Sequence, residues 1–317
     1  MGGSPAKSRS RPWNGREGKD ESISSRPRSD GPGRPPIIRA MFHIFGSPRS
    51  GTTLLAQSLD AHPDILVPDE TNLVMPVAFL FNGVRDPATG AALIADFLAA
   101  AQGFRSLAEY AGAERVREAV LAAPYDLAEI LHAAFDVAAR GAGKRVAGDK
   151  SPNDIMCLRA FVEGRGVGPR TKVIHIVRDV RDVLSSLLEQ PWAPPDLHRY
   201  FPRIWGASNL YLADAAAEFP DRYRLVKYEE LVRDPAQHLA SLCDFLGVAF
   251  DARGLGPQAR HPRYAAMPHH QRLFEPISTA RVGRYESTLP APVVDACLRQ
   301  AGEAMERFGY LPPPSSR

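Results

Sequence analysis

The sequence predicts an α/β fold in which a central parallel sheet is flanked by helices on both faces, giving three layers. Three observations predict it: short apolar strands, helical segments between them, and polar motifs that directly follow the strands. Short buried strands separated by helices are typical of parallel sheets that are covered on both faces. Ligands bind beyond the carboxyl ends of such strands, so these motifs are candidates for a functional site.

The first half of the chain contains three strand candidates and several helices. Strands are predicted over 42–45, 65–67 and 144–147, where short apolar runs occur. A helix over 51–61 follows the first strand. The Ala- and Leu-rich stretch 91–141 has helical spacing and no strand. Strands and helices therefore alternate from the start of the domain.

The second half continues this alternation and shows no internal repeat. The clearest buried strand is 172–177, and a further strand is predicted over 223–226. A Pro-rich loop covers 191–202. Helices are predicted over 180–189, 204–218, 234–246 and 292–307.

The N-terminal segment differs from the rest of the chain. Residues 1–35 are rich in Ser, Pro, Gly and Arg and have little to bury, so a disordered basic tail is predicted. A polybasic interaction arm and a true start at Met41 are the alternatives. Residues 1–40 carry nine basic and four acidic side chains, and the remainder carries 30 and 32. This nearly neutral body, one domain over 36–317, does not indicate nucleic-acid binding.

The cysteines and apolar runs bear on the cellular setting. Cys157, Cys243 and Cys297 lie far apart and form no CxxC pair, which argues against disulfides and zinc and favours a reducing, cytoplasmic setting. No window approaches 18 apolar residues, so no transmembrane helix is expected, and no secretory signal is visible. The nine histidines show no HExxH-like spacing, so no metal is expected.

The segment 45–54, Phe-Gly-Ser-Pro-Arg-Ser-Gly-Thr-Thr-Leu, places a glycine-bounded loop between a strand and a helix. The amides of such a loop and the N-terminus of the following helix favour an anion at one place. Arg49 adds a planar guanidinium fork, and the threonines add hydroxyl donors. The residues expected to bind the anion are Arg49, Ser50, Gly51, Thr52 and Thr53. The alternative is a glycine-rich turn before a well-capped helix.

This loop has the G-x-x-x-x-G spacing of nucleotide-triphosphate loops but not their continuation. Thr52 follows Gly51 where those loops carry Lys, and Arg49 supplies the charge instead. We therefore predict a P-loop-like fold that binds phosphate without the usual lysine. A P-loop nucleotide kinase or NTPase is the main rival enzyme. A non-catalytic nucleotide-binding scaffold is the non-enzymatic rival.

A second basic motif follows the strand at 172–177. Arg178 lies where this strand stops, and Ser186 lies eight residues later, a little over two helical turns. Both side chains therefore come near one side of the turn, where they could share a phosphate. The alternative is an exposed helix start in which Arg178 and Arg181 pair with Asp179 and Asp182.

The two motifs, in this order, resemble those of the sulfotransferases that use 3′-phosphoadenosine 5′-phosphosulfate (PAPS). Pro-Arg-Ser-Gly-Thr-Thr at 48–53 is similar to the 5′-phosphosulfate loop of that family. V-R-D-x-R-D-x-x-x-S at 177–186 is similar to its 3′-phosphate motif. The resemblance covers about 42–290 in motif order. It implies that Arg178 and Ser186 bind the 3′-phosphate of PAPS and that no metal is required.

The stretch D-A-H-P-x-x-x-x-x-x-E-T at 60–71 looks closest to the branch that includes the tyrosylprotein sulfotransferases and bacterial-type sulfotransferases. The resemblance implies that Glu70 is the general base, which accepts the proton of the attacking group. Asp69 is the nearest alternative base, and a surface acidic pair in a turn is the structural alternative. Asn72 stands where that branch carries Arg, so a peptide acceptor is not implied.

Two further segments resemble parts of the same family. Asp-Lys-Ser-Pro at 149–152 implies that Lys150 lies beside the transferring group, against the alternative of an ordinary solvated lysine. Tyr228 would lie near the nucleotide, or else pack its ring into the core. The segment 276–285 is similar to a mobile C-terminal segment, with Tyr285 in place of the usual Trp. Its candidates for closing over the 3′-phosphate are Ser278, Arg284 and, just before it, Arg272.

Together these features predict in-line transfer of a sulfuryl group from PAPS to an acceptor hydroxyl or amine. Glu70 would take the proton, while Arg49, Lys150 and the loop amides stabilise the leaving 5′-phosphate. The helical region 76–140 and the loop 191–202 are expected to shape the acceptor pocket. The sequence leaves open whether the acceptor is a peptide, a glycan, a lipid or a small metabolite. It also leaves open the oligomeric state, for which a homodimer is possible.

Overall fold

The computed structural model describes residues 41–312 except 69, 102–105, 153–154, 156–157 and 164, with backbone only at 259, 263 and 268–270. The predicted tail over 1–35, the alternative base Asp69 and Cys157 lie outside the described residues. The tail and the 36–317 domain boundary therefore stay predictions.

The described residues contain one sheet of five parallel strands in the order β2-β3-β1-β4-β5. The strands are β1 (Met41–Phe45), β2 (Ile65–Leu66), β3 (Val146–Lys150), β4 (Thr171–Val177) and β5 (Tyr223–Lys227). The central strands β1 and β4 are neighbours, and Phe45 pairs with His175 at their carboxyl ends. The predicted parallel sheet is confirmed.

The helices lie on both faces of this sheet. They are α1 (Thr52–Asp60), α2 (Val74–Gly83), α3 (Pro87–Ala100), α4 (Ala108–Ala111), α5 (Ala113–Ala122), α6 (Leu127–Gly141), α7 (Leu158–Glu163), α8 (Val180–Leu188), α9 (Phe201–Ala215), α10 (Tyr228–Arg233), α11 (Pro235–Leu246), α12 (Tyr285–Thr288) and α13 (Ala291–Arg307). Short 3-10 turns cover much of 252–274.

Side chains of β1 alternate between two apolar cores, as expected for a strand buried on both faces. Met41 and Phe45 pack with helices α2, α3, α5 and α6. Phe42 and Ile44 pack on the other face with α1 and α11. The three-layer α/β architecture predicted from the sequence is therefore confirmed.

Strand β3 begins and ends later than predicted. The sequence placed it at 144–147, but Lys144 instead binds the backbone oxygens of Asp60 and Ile65. The strand continues through Gly148 because this residue pairs with Phe42 of β1, and only glycine fits there, since a Cβ would lie 2.2 Å from the Phe42 ring. The strand therefore extends to Lys150 and carries Asp149 and Lys150 to the carboxyl edge of the sheet. Helices α7, α10 and α12 were not predicted, whereas α2 lies largely within the region 76–140 that was expected to be helical.

Candidate active site

The glycine-bounded loop connects the end of β1 to the start of α1. Gly51 has φ +91° and Arg49 has φ +70°, so the backbone turns through left-handed conformations. A Cβ at Gly51 would lie 2.5 Å from the Tyr228 ring, and only glycine fits there. The Ser50 hydroxyl is buried and has no hydrogen-bond partner within the described part of the chain. The loop is thus closely packed.

Tyr228 connects this loop to the second motif. It is the first residue of α10 and is 8% exposed. One part of its ring faces Gly51, and the Arg178 guanidinium lies 4.4 Å from the ring centroid. Burial raises the pKa of the Tyr228 phenol. Tyr228 is buried, as the core alternative expects, and it also lines the candidate site, so its place near a nucleotide stays a prediction.

Arg178 and Ser186 both contact Arg49, although they lie far from it in sequence. Arg178 Nη1 donates to the Arg49 carbonyl oxygen at 3.1 Å, and Arg49 Nε donates to Ser186 Oγ at 3.0 Å. Burial, followed by repulsion from Arg178, lowers the pKa of Arg49, but a guanidinium stays protonated at neutral pH. The two predicted phosphate motifs therefore meet in one cluster.

The alternative of an ion-paired helix start is also partly observed. Arg181 pairs with Asp179 at 2.6 Å and Arg178 pairs with Asp182 at 3.8 Å, but this helix start is buried and not exposed. Asp182 also accepts the backbone amides of Gly283 and Tyr285 at 2.9 and 3.0 Å. This anchoring of the C-terminal segment was missed by the sequence analysis. The only local signal was the position of Asp182 within the second motif.

A cavity of about 440 Å³ opens at this cluster. Its lining from the strand ends includes Arg49, Gly51, Thr52, Thr53, Arg178, Ser186 and Tyr228. Its lining from the C-terminal part includes Arg272, Ser278, Arg281 and Arg284. Five arginines face three carboxylates in the lining, so the cavity has a positive balance that suits an anionic ligand. Ser50 does not line it.

Lys150 and Glu70 form a pair beside this cavity rather than in its lining. Lys150 Nζ lies 2.6 Å from Glu70 Oε1 and 3.2 Å from Thr53 Oγ1. The Lys150 side chain is fully buried, which excludes the alternative of a solvated lysine, while that of Glu70 is 37% exposed. Thr53 belongs to both the cavity and this pair. The predicted base therefore lies beside the loop and can be reached from solvent.

Asp149 holds the segment that carries Glu70. Thr71 Oγ1 donates to Asp149 Oδ1 at 2.5 Å, and the Asn72 amide donates to Ser151 Oγ at 2.9 Å. Burial raises the pKa of Asp149 from 3.8 to about 6, although the Thr71 hydrogen bond and Lys150 oppose the rise. This anchor was also missed, although Asp149 stands beside Lys150 in the same motif.

We expect Asp149→Asn to change how stability depends on pH. Because folding raises this pKa, the contribution of Asp149 to stability is complete below about pH 4 and is lost as the pH rises through about 6. Between these values the wild type should lose up to about 1.4 kcal/mol per pH unit relative to Asp149→Asn. Urea unfolding at several pH values measures this, with Asp96→Asn on exposed α3 as control. A difference that stays constant with pH would contradict it.

Other features of the described ranges concern metals, membranes and thiols. No three His, Cys, Asp or Glu side chains in these ranges are arranged to hold a metal ion. Within the same part of the chain, no helix has both the length and the apolar character to cross a membrane. Cys243 and Cys297 are buried free thiols.

The fold and the site define a class of protein. A parallel sheet with a glycine-bounded loop after its central strand, and a cationic cavity at the carboxyl ends, is typical of α/β proteins that bind phosphorylated ligands. A model of the sulfotransferase family matches residues 42–252, about two thirds of the chain. The chain belongs to the sulfotransferase family, and the resemblance noted in the sequence is confirmed.

Curated relatives are similar at low identity. Protein-tyrosine sulfotransferase A of Caenorhabditis elegans is 23% identical over 284 residues, covering 85% of this chain and 67% of that protein. Nodulation protein NoeE of Sinorhizobium fredii is 28% identical over 234 residues, covering 67% and 50%. Mouse carbohydrate sulfotransferase 5 is 26% identical over 170 residues, covering 44% and 41%. The matches to NoeE and the mouse enzyme thus span half or less of those proteins.

Solved structures share the fold. The sulfotransferase domain of the Synechococcus PCC 7002 olefin synthase is 26% identical, with a TM-score of 0.58, covering 90% of this chain and all of that domain. The sulfotransferase domain of the curacin biosynthetic pathway is 21% identical, with a TM-score of 0.55, covering 87% and 100%. The predicted fold class is confirmed by these matches as well.

Proposed function

We propose that this chain transfers the sulfuryl group of PAPS in line to an acceptor hydroxyl or amine. The observation that carries the proposal is the meeting of Arg49, Arg178 and Ser186 at one cationic cavity, with the Lys150–Glu70 pair beside it. Membership of the sulfotransferase family supports it and does not favour a kinase, an NTPase or a non-catalytic scaffold.

The proposed donor site has two ends. Arg178 and Ser186 bind the 3′-phosphate, with Ser278 and Arg284 facing it from the C-terminal segment. The loop amides and the hydroxyls of Thr52 and Thr53 bind the 5′-phosphosulfate at the N-terminus of α1. In this assignment the Arg49 guanidinium, hydrogen-bonded to Ser186, lies on the 3′-phosphate side as well as in the loop.

The proposed chemistry needs one base and one buried cation. The acceptor oxygen or nitrogen forms a bond to sulfur as the bond from sulfur to the bridging 5′-phosphate oxygen breaks, and the acceptor proton passes to Glu70. 3′-Phosphoadenosine 5′-phosphate (PAP) then leaves. Lys150 lies between Glu70 and Thr53, so its ammonium can stabilise negative charge on the transferring group or on the leaving phosphate.

We propose the acceptor class and the cellular compartment only in broad terms, and we leave the assembly state open. Relatives are named for protein tyrosine and for carbohydrate, and we propose only a hydroxyl or amine acceptor here. The buried free thiols of Cys243 and Cys297 fit the proposed cytoplasmic setting. A screen of peptides, glycans, lipids and small metabolites with ³⁵S-labelled PAPS identifies the acceptor.

We expect Arg178→Ala to weaken PAP binding by about 10- to 100-fold, because a charged hydrogen-bonding group facing the 3′-phosphate is removed. Affinity for 5′-AMP, which lacks that phosphate, should fall much less. Calorimetric titration of both ligands tests the donor assignment. The control is Arg159→Ala, which removes an exposed arginine on α7. Equal losses for PAP and 5′-AMP would overturn the assignment of the 3′-phosphate to Arg178.

A further inference from the structure

Glu189 places a carboxylate against Arg284, which is proposed to face the 3′-phosphate, and against Arg281, which lines the same cavity. It follows the last residue of α8 and lines the cavity. Glu189 Oε2 lies 3.5 Å from Arg281 Nη1, and Glu189 Oε1 forms an ion pair with Arg284 Nη1. The same cavity wall contains Ser186, which lies one helical turn earlier, on the same side of the helix.

We propose that Glu189 competes with the 3′-phosphate for Arg281 and Arg284, and so limits how tightly PAPS and PAP are held and how long PAP remains bound. This inference rests on the proposed function, because it concerns the same donor site. It adds a residue that sets donor affinity without contacting the sulfuryl group.

A phosphate can replace the Glu189 carboxylate as the ionic partner of Arg281 and Arg284. The side chains of Arg281, Arg284 and Glu189 are 20%, 29% and 36% exposed. Arg284 Nη1 itself is buried, and within the described residues its contact with Glu189 meets the distance for an ion pair but not the geometry of a hydrogen bond. Partly exposed pairs of this kind contribute little, whereas a phosphate brings more charge and more acceptor oxygens.

The segment that carries the two arginines does not depend on Glu189 for its position. Asp182 accepts the amides of Gly283 and Tyr285, and Arg178 Nη2 donates to the Arg281 carbonyl at 2.6 Å. These backbone contacts remain when the arginine side chains change partner. The geometry therefore favours competition at the side chains over an anchoring role for Glu189.

A bound 3′-phosphate would also experience the charge of Glu189 directly. The effect of Glu189 on the pKa of Arg49, which it raises, shows that its field reaches the cluster at Ser186. Two negative groups facing the same arginines repel each other. A neutral side chain of the same shape at position 189 would remove both the competition and the repulsion.

We expect Glu189→Gln to bind PAP about three- to tenfold more tightly than wild type and to release it more slowly by a similar factor. Binding of 5′-AMP should not change, because it has no 3′-phosphate to displace Glu189. Calorimetry gives the affinities, and stopped-flow displacement gives the dissociation rates. Glu286→Gln on the same segment is the control. The gain should shrink as salt is raised, because salt screens partly exposed charges.

The outcomes separate this inference from the proposed function. If Glu189→Gln binds PAP more weakly, or shifts PAP and 5′-AMP alike, the competition is refuted while the donor site stands. If wild type does not prefer PAP to 5′-AMP, both the donor site and the inference fail. A second variant checks the mechanism: in an Arg281→Ala/Arg284→Ala background, Glu189→Gln should have a smaller effect than in the wild type, because the competition is gone and only the direct repulsion remains. An undiminished effect there would overturn the assignment of these arginines.

Discussion

Glu70→Gln is expected to lower kcat for sulfuryl transfer by about 10²- to 10⁴-fold, the range that a positioned base supplies. The amide oxygen of Gln can still accept the hydrogen bond of Lys150, which now runs 2.6 Å to Glu70 Oε1. The local structure is therefore kept while the proton acceptor is lost. PAP affinity should stay within about threefold of wild type, since the change removes chemistry rather than donor binding.

The measurement is single-turnover transfer from ³⁵S-labelled PAPS to an acceptor found by screening, with PAP binding measured in parallel. Glu163→Gln, in an exposed ion pair of α7, is the matched control and should retain full activity. If Glu70→Gln keeps activity within tenfold of wild type, Glu70 is not the base. A parallel loss of PAP affinity would instead indicate that Glu70 supports the donor site.

Lys150→Met is expected to lower kcat by about 10²- to 10³-fold, because in the proposed mechanism this buried cation stabilises the charge that develops on the transferring group or on the leaving phosphate. Lys150 is fully buried, and Met has nearly the same shape without the charge. Removing one partner of an ion pair costs stability, but the remaining carboxylate of Glu70 is 37% exposed and can be solvated, so the loss should be modest. The effect should therefore appear in activity rather than in folding.

This result is checked by comparing single-turnover rates with urea unfolding of the same variant. Lys227→Met removes a lysine that lies over the Tyr310 ring, outside the cavity lining, and is the control. A rate within fivefold of wild type for Lys150→Met would contradict the proposed role. A large loss of stability would show that the Lys150–Glu70 pair mainly supports the fold.

Strands and loops could be predicted where local patterns dominate. The apolar runs at β1 and β4 and the glycine-bounded loop between β1 and α1 are visible in the sequence because neighbouring residues determine them. The prediction for strand β3 ended at 147, three residues too early, since the Gly-Asp-Lys end of the strand has low strand propensity. Pairing with β1 overrides that propensity, as the close packing of Gly148 on Phe42 shows.

The contacts that the sequence analysis missed join residues that are far apart in the sequence. Asp182 was weighed only against arginines within four residues, but it also accepts the amides of Gly283 and Tyr285, about a hundred residues later. Glu70 and Lys150 were each singled out, yet their contact spans 80 residues and requires the strand order to be known. The spacing of residues in the sequence predicts which side chains are neighbours within one helix or strand. Contacts between distant segments depend instead on which helices and strands are adjacent in the fold.

The adjacency of β1 and β4 has a consequence for how the site can vary. The loop that would bind the 5′-phosphosulfate leaves β1, and Arg178 follows β4, the neighbouring strand. The separation of these two attachment points is set by the backbone ladder, about 4.8 Å between strands, and not by any side chain. The sheet therefore fixes the separation of the two elements proposed to bind the donor, while Glu70 follows the two-residue edge strand β2. Changes near the edge strand β2 can thus alter the proposed acceptor side without changing the spacing between β1 and β4 on the proposed donor side.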